Sequence, residues 1–120
     1  LDAGGLIALD RNHRQVLALL VRATELGLRI TIPATALAQA MRNPARQARL
    51  QRLIRQANTD LVALDGPEAT AVGLLLARSG TADIADAHVV VCAQRACQSI
   101  VTTDPVDLNR LAPELQLFVP

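Results

Sequence analysis

The order of apolar and polar residues along the 120-residue chain predicts strands that alternate with helices. Short apolar runs predict four strands, at residues 28–32, 61–64, 99–102 and 115–119. Apolar residues spaced three and four apart predict a short helix after Ala3 and further helices at about 12–27, 34–42, 45–57, 66–79, 82–96 and 105–111. This alternation indicates βαβ units. We therefore expect a single α/β domain over residues 1–120, with helices on both faces of a central, mainly parallel sheet.

Capping residues set the expected helix ends. Asn12 is a candidate N-cap for the second helix, which Gly27 ends, and Thr81 is a candidate N-cap for the helix at 82–96. The Asn43-Pro44 pair is expected to break one helix and start the next.

The amino-acid composition gives little indication of which molecules bind the protein. Hydrophobic residues make up 51% of the chain but Phe118 is its one aromatic residue, so the expected core is aliphatic, as for helices packed on a parallel sheet. The net charge of +1 gives no indication of a partner. All 12 basic residues are Arg, which suits contact with phosphate, although genomic codon bias explains the same skew equally well.

Cys92 and Cys97 are five residues apart in a predicted helix, so they do not share a face and are poorly placed to form a disulfide. The sequence contains no Cys/His spacing typical of a metal site. Buried free thiols, no transmembrane-length stretch and no visible signal peptide favour the cytoplasm and no membrane partner. Because the chain begins at Leu1, we expect a few apolar residues of a first strand to precede it in the gene.

Acidic residues stand at three junctions between a strand-like run and a helix. They are Asp2 in Leu-Asp-Ala-Gly-Gly, Asp83 and Asp86 in Thr-Ala-Asp-Ile-Ala-Asp-Ala-His, and Asp104 in Thr-Thr-Asp-Pro. Singly, Asp83, Asp86 and Asp104 are explained as helix caps or first-turn acids, whereas Asp2 has no evident capping role. Together they are expected to meet at the carboxyl edge of the sheet, where clustered carboxylates suit Mg²⁺ or Mn²⁺.

Along nearly its whole length the chain resembles the PIN-domain nucleases, and within them the VapC toxins of prokaryotic toxin–antitoxin pairs. The resemblance is carried by Leu-Asp-Ala-Gly-Gly-Leu-Ile, Ile-Pro-Ala-Thr-Ala-Leu-Ala-Gln, Gly-Thr-Ala-Asp-Ile-Ala-Asp-Ala-His-Val-Val-Val-Cys-Ala and Ile-Val-Thr-Thr-Asp-Pro-Val-Asp-Leu, in that order. It implies a three-layer α/β/α sandwich and a Mg²⁺- or Mn²⁺-dependent endoribonuclease. It further implies a cognate antitoxin and a homodimer.

On that pattern Asp2, Asp86 and Asp104 match the metal-binding, catalytic acids. Thr102 matches the small hydroxyl residue beside the last of them, and Asp83 and Asp107 are additional nearby acids. A metal held there would polarise the phosphodiester and activate water for attack on phosphorus.

Two residues depart from the pattern. Gln39 stands where such nucleases usually carry Glu, which keeps an oxygen ligand but removes a charge, and Gly4 stands where Ser, Thr or Asn is common. The alternative is therefore a catalytically weak or inactive PIN-fold binding module. A phosphotransfer domain with Asp at its strand ends ranks last, because such a domain normally needs a Lys and this chain has none.

A basic stripe on one predicted helix, either a solvated face or a contact for an RNA backbone, consists of Arg42, Arg46, Arg49, Arg52 and Arg55. His88, two residues after Asp86, is expected to be packed rather than catalytic.

Overall fold

A computed structural model describes all residues from Leu1 to Pro120. It contains seven α-helices, one 3₁₀ turn and four short strands. In chain order they are α1 (Ala3–Asp10), α2 (Arg14–Glu25), β1 (Ile30–Pro33), α3 (Ala34–Ala40), the 3₁₀ turn (Pro44–Arg46), α4 (Ala48–Ile54), β2 (Thr59–Val62), α5 (Gly66–Ser79), α6 (Ile84–Ala96), β3 (Ile100–Val101), α7 (Pro105–Leu111) and β4 (Leu117–Phe118). The prediction of an α/β fold with parallel strands is confirmed.

The strands form two separate parallel pairs instead of one continuous sheet. β1 pairs with β2, with Ile30 opposite Thr59, and β3 pairs with β4, with Ile100 opposite Leu117. The backbone at the start of the chain links the pairs: the Leu1 nitrogen donates to the Thr31 carbonyl at 3.0 Å and the Asp2 nitrogen to the Val101 carbonyl at 3.2 Å. Leu1 and Asp2 therefore lie between β1 and β3.

Helix α6 is the centre of the core. Every residue from Ala87 to Ala93 is buried, and the helix packs against α3, α5, α7, β1 and β3. A helix that is apolar on all sides is stable only when it is enclosed by other elements. Its first turn, which carries Asp86, is fixed in place by this packing.

Several helix boundaries differ from the predicted ones. Asn12 does not cap α2; it takes a left-handed conformation with φ of 61°, and His13 is the N-cap residue. Thr81 does not cap α6, because the Asp83 side chain does so. Both cysteines are free, as expected, but only Cys92 is buried and Cys97 is exposed.

None of the seven helices has the combination of length and hydropathy needed to cross a bilayer.

Candidate functional site

Asp2 immediately precedes α1 and is its N-cap. The side chain is buried, and its Oδ1 accepts a hydrogen bond of 2.8 Å from the Gly5 nitrogen. The interpretation that Asp2 has no capping role is therefore wrong, since its carboxylate satisfies one of the free amides in the first turn. The second oxygen, Oδ2, is not used by the cap.

The two glycines after Asp2 allow α1 to begin close to β3 and its following loop. A Cβ atom at Gly5 would lie 2.8 Å from the Val101 carbonyl oxygen, and one at Gly4 would overlap the Thr103 hydroxyl. Side chains larger than hydrogen would push α1 away. The Gly-Gly pair thus holds Asp2 next to the loop that carries Asp104.

Asp83 and Asp86 occupy the amino end of α6 and have different roles. Asp83 is exposed, and its Oδ1 accepts a hydrogen bond of 2.9 Å from the Asp86 nitrogen, which makes it the N-cap. The half-buried Asp86 carboxylate forms no hydrogen bond or ion pair within the protein. Of the two, Asp86 has the more available carboxylate.

Asp104 immediately precedes α7 but does not cap it through its side chain. Its backbone nitrogen instead donates to the buried Thr102 hydroxyl at 3.0 Å, which fixes the loop between β3 and α7. Asp107, in the first turn of α7, is exposed and lies 4.0 Å from Arg110. The Asp104 carboxylate is thus exposed and free.

The electrostatics of Asp86 show that these acids act on one another. Burial, followed by the charges of Asp83, Asp2, Asp107 and Asp104, raises the pKa of Asp86 from 3.8 to about 6. The dipole of α6 favours a negative charge in its first turn by about 0.3–1 kcal/mol, so desolvation and repulsion outweigh it here. Carboxylates from the amino ends of three helices therefore share one electrostatic environment.

Gln39 is exposed near the carboxyl end of α3, and its side chain forms no hydrogen bond within the protein. No charge at position 39 contributes to the raised pKa of Asp86. The structure does not bring Gln39 into hydrogen-bond contact with any of the acids.

The basic stripe does not lie on one helix. All five arginines are exposed, but Arg42 precedes the 3₁₀ turn, Arg46 ends it, and Arg55 follows α4. The buried Gln47 side chain explains the break: its Oε1 accepts from the Arg42 and Asn43 nitrogens, both at 2.9 Å. Only Arg49 and Arg52 lie within α4.

The structure contains a second group of chemically active side chains that was not predicted from the sequence. Glu68 of α5 and His88 and Cys92 of α6 are buried together, with one potential ligand atom from each within 4.8 Å of the others. This cluster could hold a metal ion. The four-residue spacing of His88 and Cys92, which puts both on one face of a helix, is the one sequence signal that could have indicated this cluster.

Comparisons of the chain with protein-family models, curated proteins and solved structures gave no match.

Proposed function

We propose that the chain is a metal-dependent endoribonuclease of the PIN type, the toxin of a toxin–antitoxin pair. The observation that carries the proposal is the arrangement of Asp2, Asp86 and Asp104 at the amino ends of α1, α6 and α7. The Asp2 nitrogen is bonded to Val101, three residues before Asp104, and α6 packs against α7. A fold that served only stability has no need to crowd acids in this way.

The proposed fold is a three-layer α/β/α sandwich. Its central sheet would have the order β2, β1, the Leu1–Asp2 segment, β3 and β4, with each pairing parallel. The hydrogen bonds of Leu1 and Asp2 to the two strand pairs support this order. In such a sheet the acids would occupy the carboxyl edge, where ligands of open α/β sheets bind.

The donor set suits Mg²⁺ or Mn²⁺. Every candidate ligand is a carboxylate oxygen, and no His or Cys side chain belongs to this group. Burial and then the charges of the neighbouring carboxylates raise the pKa of Asp86, and a divalent cation bound there would relieve the repulsion among these acids.

The chain's own residues orient the ligands. Asp2 is held through Oδ1, which leaves Oδ2 for a cation, and Thr102 fixes the backbone from which the Asp104 carboxylate projects. Asp83, as the cap of α6, positions Asp86 and adds negative charge nearby. Bound there, Mg²⁺ or Mn²⁺ supplies the Lewis-acid chemistry of phosphodiester hydrolysis.

RNA would be held through its backbone. Arg42, Arg46 and Arg49 are exposed and none forms an ion pair with an acid of the chain. Arg42 Nη1 donates to the Ala38 and Met41 carbonyls, and the other guanidinium donors of these residues are available to phosphates. With one aromatic residue in the chain, base stacking would contribute little. A basic side chain of an antitoxin could neutralise the acids in the same place, and the homodimer is proposed on the resemblance alone.

The second candidate is a PIN-fold module that binds RNA without cleaving it. Gln39 favours it, since the amide contributes no charge and lies in no hydrogen-bond contact with the acids. Such a module would retain affinity for RNA in EDTA.

The experiment is a cleavage assay with a structured RNA and protein freed of any partner. We expect cleavage in Mg²⁺ or Mn²⁺, none in EDTA, and none by Asp104→Asn with native circular dichroism. Glu25→Gln, which removes an exposed acid of α2, is the matched control and should cleave normally. Equal residual activity in wild type and Asp104→Asn would reject the nuclease, and RNA binding without cleavage would favour the second candidate.

A further inference from the structure

Glu68, His88 and Cys92 form a buried polar cluster between α5 and α6. Their side chains are 3%, 0% and 5% exposed, which is unusual for an acid and an imidazole. His88 and Cys92 are one helical turn apart on α6, and Glu68 lies in the first turn of α5. The two packed helices therefore aim three different ligand types at one point.

The contact between His88 and Glu68 in this cluster is a poor hydrogen bond. His88 Nε2 lies 3.4 Å from Glu68 Oε1, outside the usual range, and has no hydrogen-bond partner although it is fully buried. The Cys92 sulfur lies 3.5 Å from the same Oε1. An unsatisfied buried nitrogen costs about 1–3 kcal/mol, so its retention here needs an explanation.

Two of the three distances between the donor atoms match those expected for ligands of one tetrahedral cation. Bonds of about 2.0 Å to nitrogen and oxygen and about 2.3 Å to sulfur place neighbouring N and O ligands about 3.3 Å apart and S and O ligands about 3.5 Å apart. The observed separations are 3.4 and 3.5 Å, and all three donor atoms lie within 4.8 Å of one another.

The surrounding residues orient the donors. The Thr35 hydroxyl lies 2.7 Å from His88 Nδ1; when it accepts the proton on that nitrogen, Nε2 presents a lone pair to the cluster. Arg95 pairs with Glu68 Oε2, which leaves Oε1 directed at the histidine and the thiol. Each donor atom is thus held by a contact on its far side or by its helix.

We propose that Glu68 Oε1, His88 Nε2 and Cys92 Sγ bind one divalent cation of the zinc class, at a site with three protein ligands that joins α5 to α6. A mixed N, O and S donor set selects such a cation over Mg²⁺, so this site is chemically separate from the oxygen-only acids of the proposed active site. Binding requires the thiolate, so one proton leaves Cys92 as the cation enters. Cation binding at this site does not depend on nuclease activity.

Cobalt(II) is the probe, because a thiolate ligand gives it a strong charge-transfer band that oxygen ligands do not give. Protein stripped with EDTA and kept reduced with a phosphine is titrated with Co²⁺ in the Cys97→Ser background, which removes the other, exposed thiol. We expect the band to saturate at one equivalent and to be bleached by Zn²⁺. Absence of the band in the Cys97→Ser protein would overturn the proposal.

The chain offers a matched histidine pair as well. His88→Gln should lower Co²⁺ affinity at least about tenfold, as expected for loss of one of three ligands, while His13→Gln should leave it unchanged. If His88→Gln does not fold, the titration of the Cys97→Ser protein still tests the proposal. Zn²⁺ should also raise the thermal midpoint of that protein, and a midpoint unaffected by Zn²⁺ would contradict binding of the cation to the folded protein.

Discussion

Replacing Asp86 with Asn should stabilise the protein at neutral pH in the absence of metal. In the folded chain the pKa of Asp86 is raised from 3.8 to about 6 by burial and by the charges of Asp83, Asp2, Asp107 and Asp104. Ionising this side chain therefore costs more in the folded state than in the unfolded state. Asn is close in shape and carries no charge, so it removes that cost.

The magnitude follows from the pKa. Each pH unit by which a pKa moves corresponds to about 1.4 kcal/mol, which gives about 3 kcal/mol as an upper value. Because Asp86 is only half-buried, solvent screens part of the repulsion, and we expect a gain of about 1–2 kcal/mol.

The raised pKa also determines how the contribution of Asp86 to stability changes with pH. Between about pH 4 and 6 the folded state binds more protons at Asp86 than the unfolded state, so this group lowers stability as the pH rises. The stability difference between Asp86→Asn and wild type should thus grow across that window and level off above about pH 7.

Urea denaturation in EDTA, at several pH values from about 4 to 8, measures this difference. Glu25→Gln is the control, since its exposed ion pair with Arg22 should change stability by less than about 1 kcal/mol at any pH in the range. A difference that does not vary with pH, or an Asp86→Asn protein less stable than wild type at pH 7.5, would refute the raised pKa of Asp86.

Three other substitutions probe separate parts of the account. Gly5→Ala should destabilise the protein by about 1–3 kcal/mol because the new Cβ meets a backbone carbonyl. Its control, Gly73→Ala, has open space in the middle of α5 and should stabilise the protein by about 0.5–1 kcal/mol. Thermal melts measure both changes, and equal effects would contradict the close approach of α1 to β3. Gln39→Glu should tighten Mn²⁺ binding in calorimetry by restoring a negative charge, and unchanged affinity would remove position 39 from the site. Arg49→Ala should weaken RNA binding and reduce the slope of log K against log salt concentration by about one. Arg78 is also exposed, and Arg78→Ala should change neither quantity. An equal loss of affinity in both variants would exclude a specific basic contact.

Helices with strong local signals were predictable from sequence. α5 begins with Asp65, Gly66 and Pro67 and ends before Gly80, which has a φ of 69°, so cap, first-turn proline and left-handed glycine mark both ends. α7 was equally clear, since Asp104-Pro105 marks its start. Here local chemistry alone decides the boundaries.

Features that depend on tertiary contacts were not predictable from the sequence. The second strand was predicted at 61–64, but it runs from Thr59 to Val62, because its bounds follow its pairing with β1 instead of its own apolar residues. The helix predicted at 45–57 begins only at Ala48, because the Gln47 side chain hydrogen bonds to the preceding loop, a contact that the sequence does not reveal.

The two groups of potential metal ligands also differ in how far the sequence predicts them. Asp2 and Asp104 were recognisable because each stands next to a helix start, where the topology gathers them. Glu68 is 20 residues before His88, and only the packing of α5 against α6 brings them together. The spacing of His88 and Cys92 is visible in the sequence, but the third ligand is not.

The central claim, that the acids hold a metal for RNA cleavage, is tested most directly by the cleavage rate of a structured RNA as a function of Mn²⁺ concentration. Wild type, Asp86→Asn and Glu25→Gln are compared on the same substrate. We predict a saturable, EDTA-sensitive rate for wild type and Glu25→Gln, and a rate lower by at least about 100-fold for Asp86→Asn. Indistinguishable rates for Asp86→Asn and wild type, or cleavage that persists in EDTA, would contradict it.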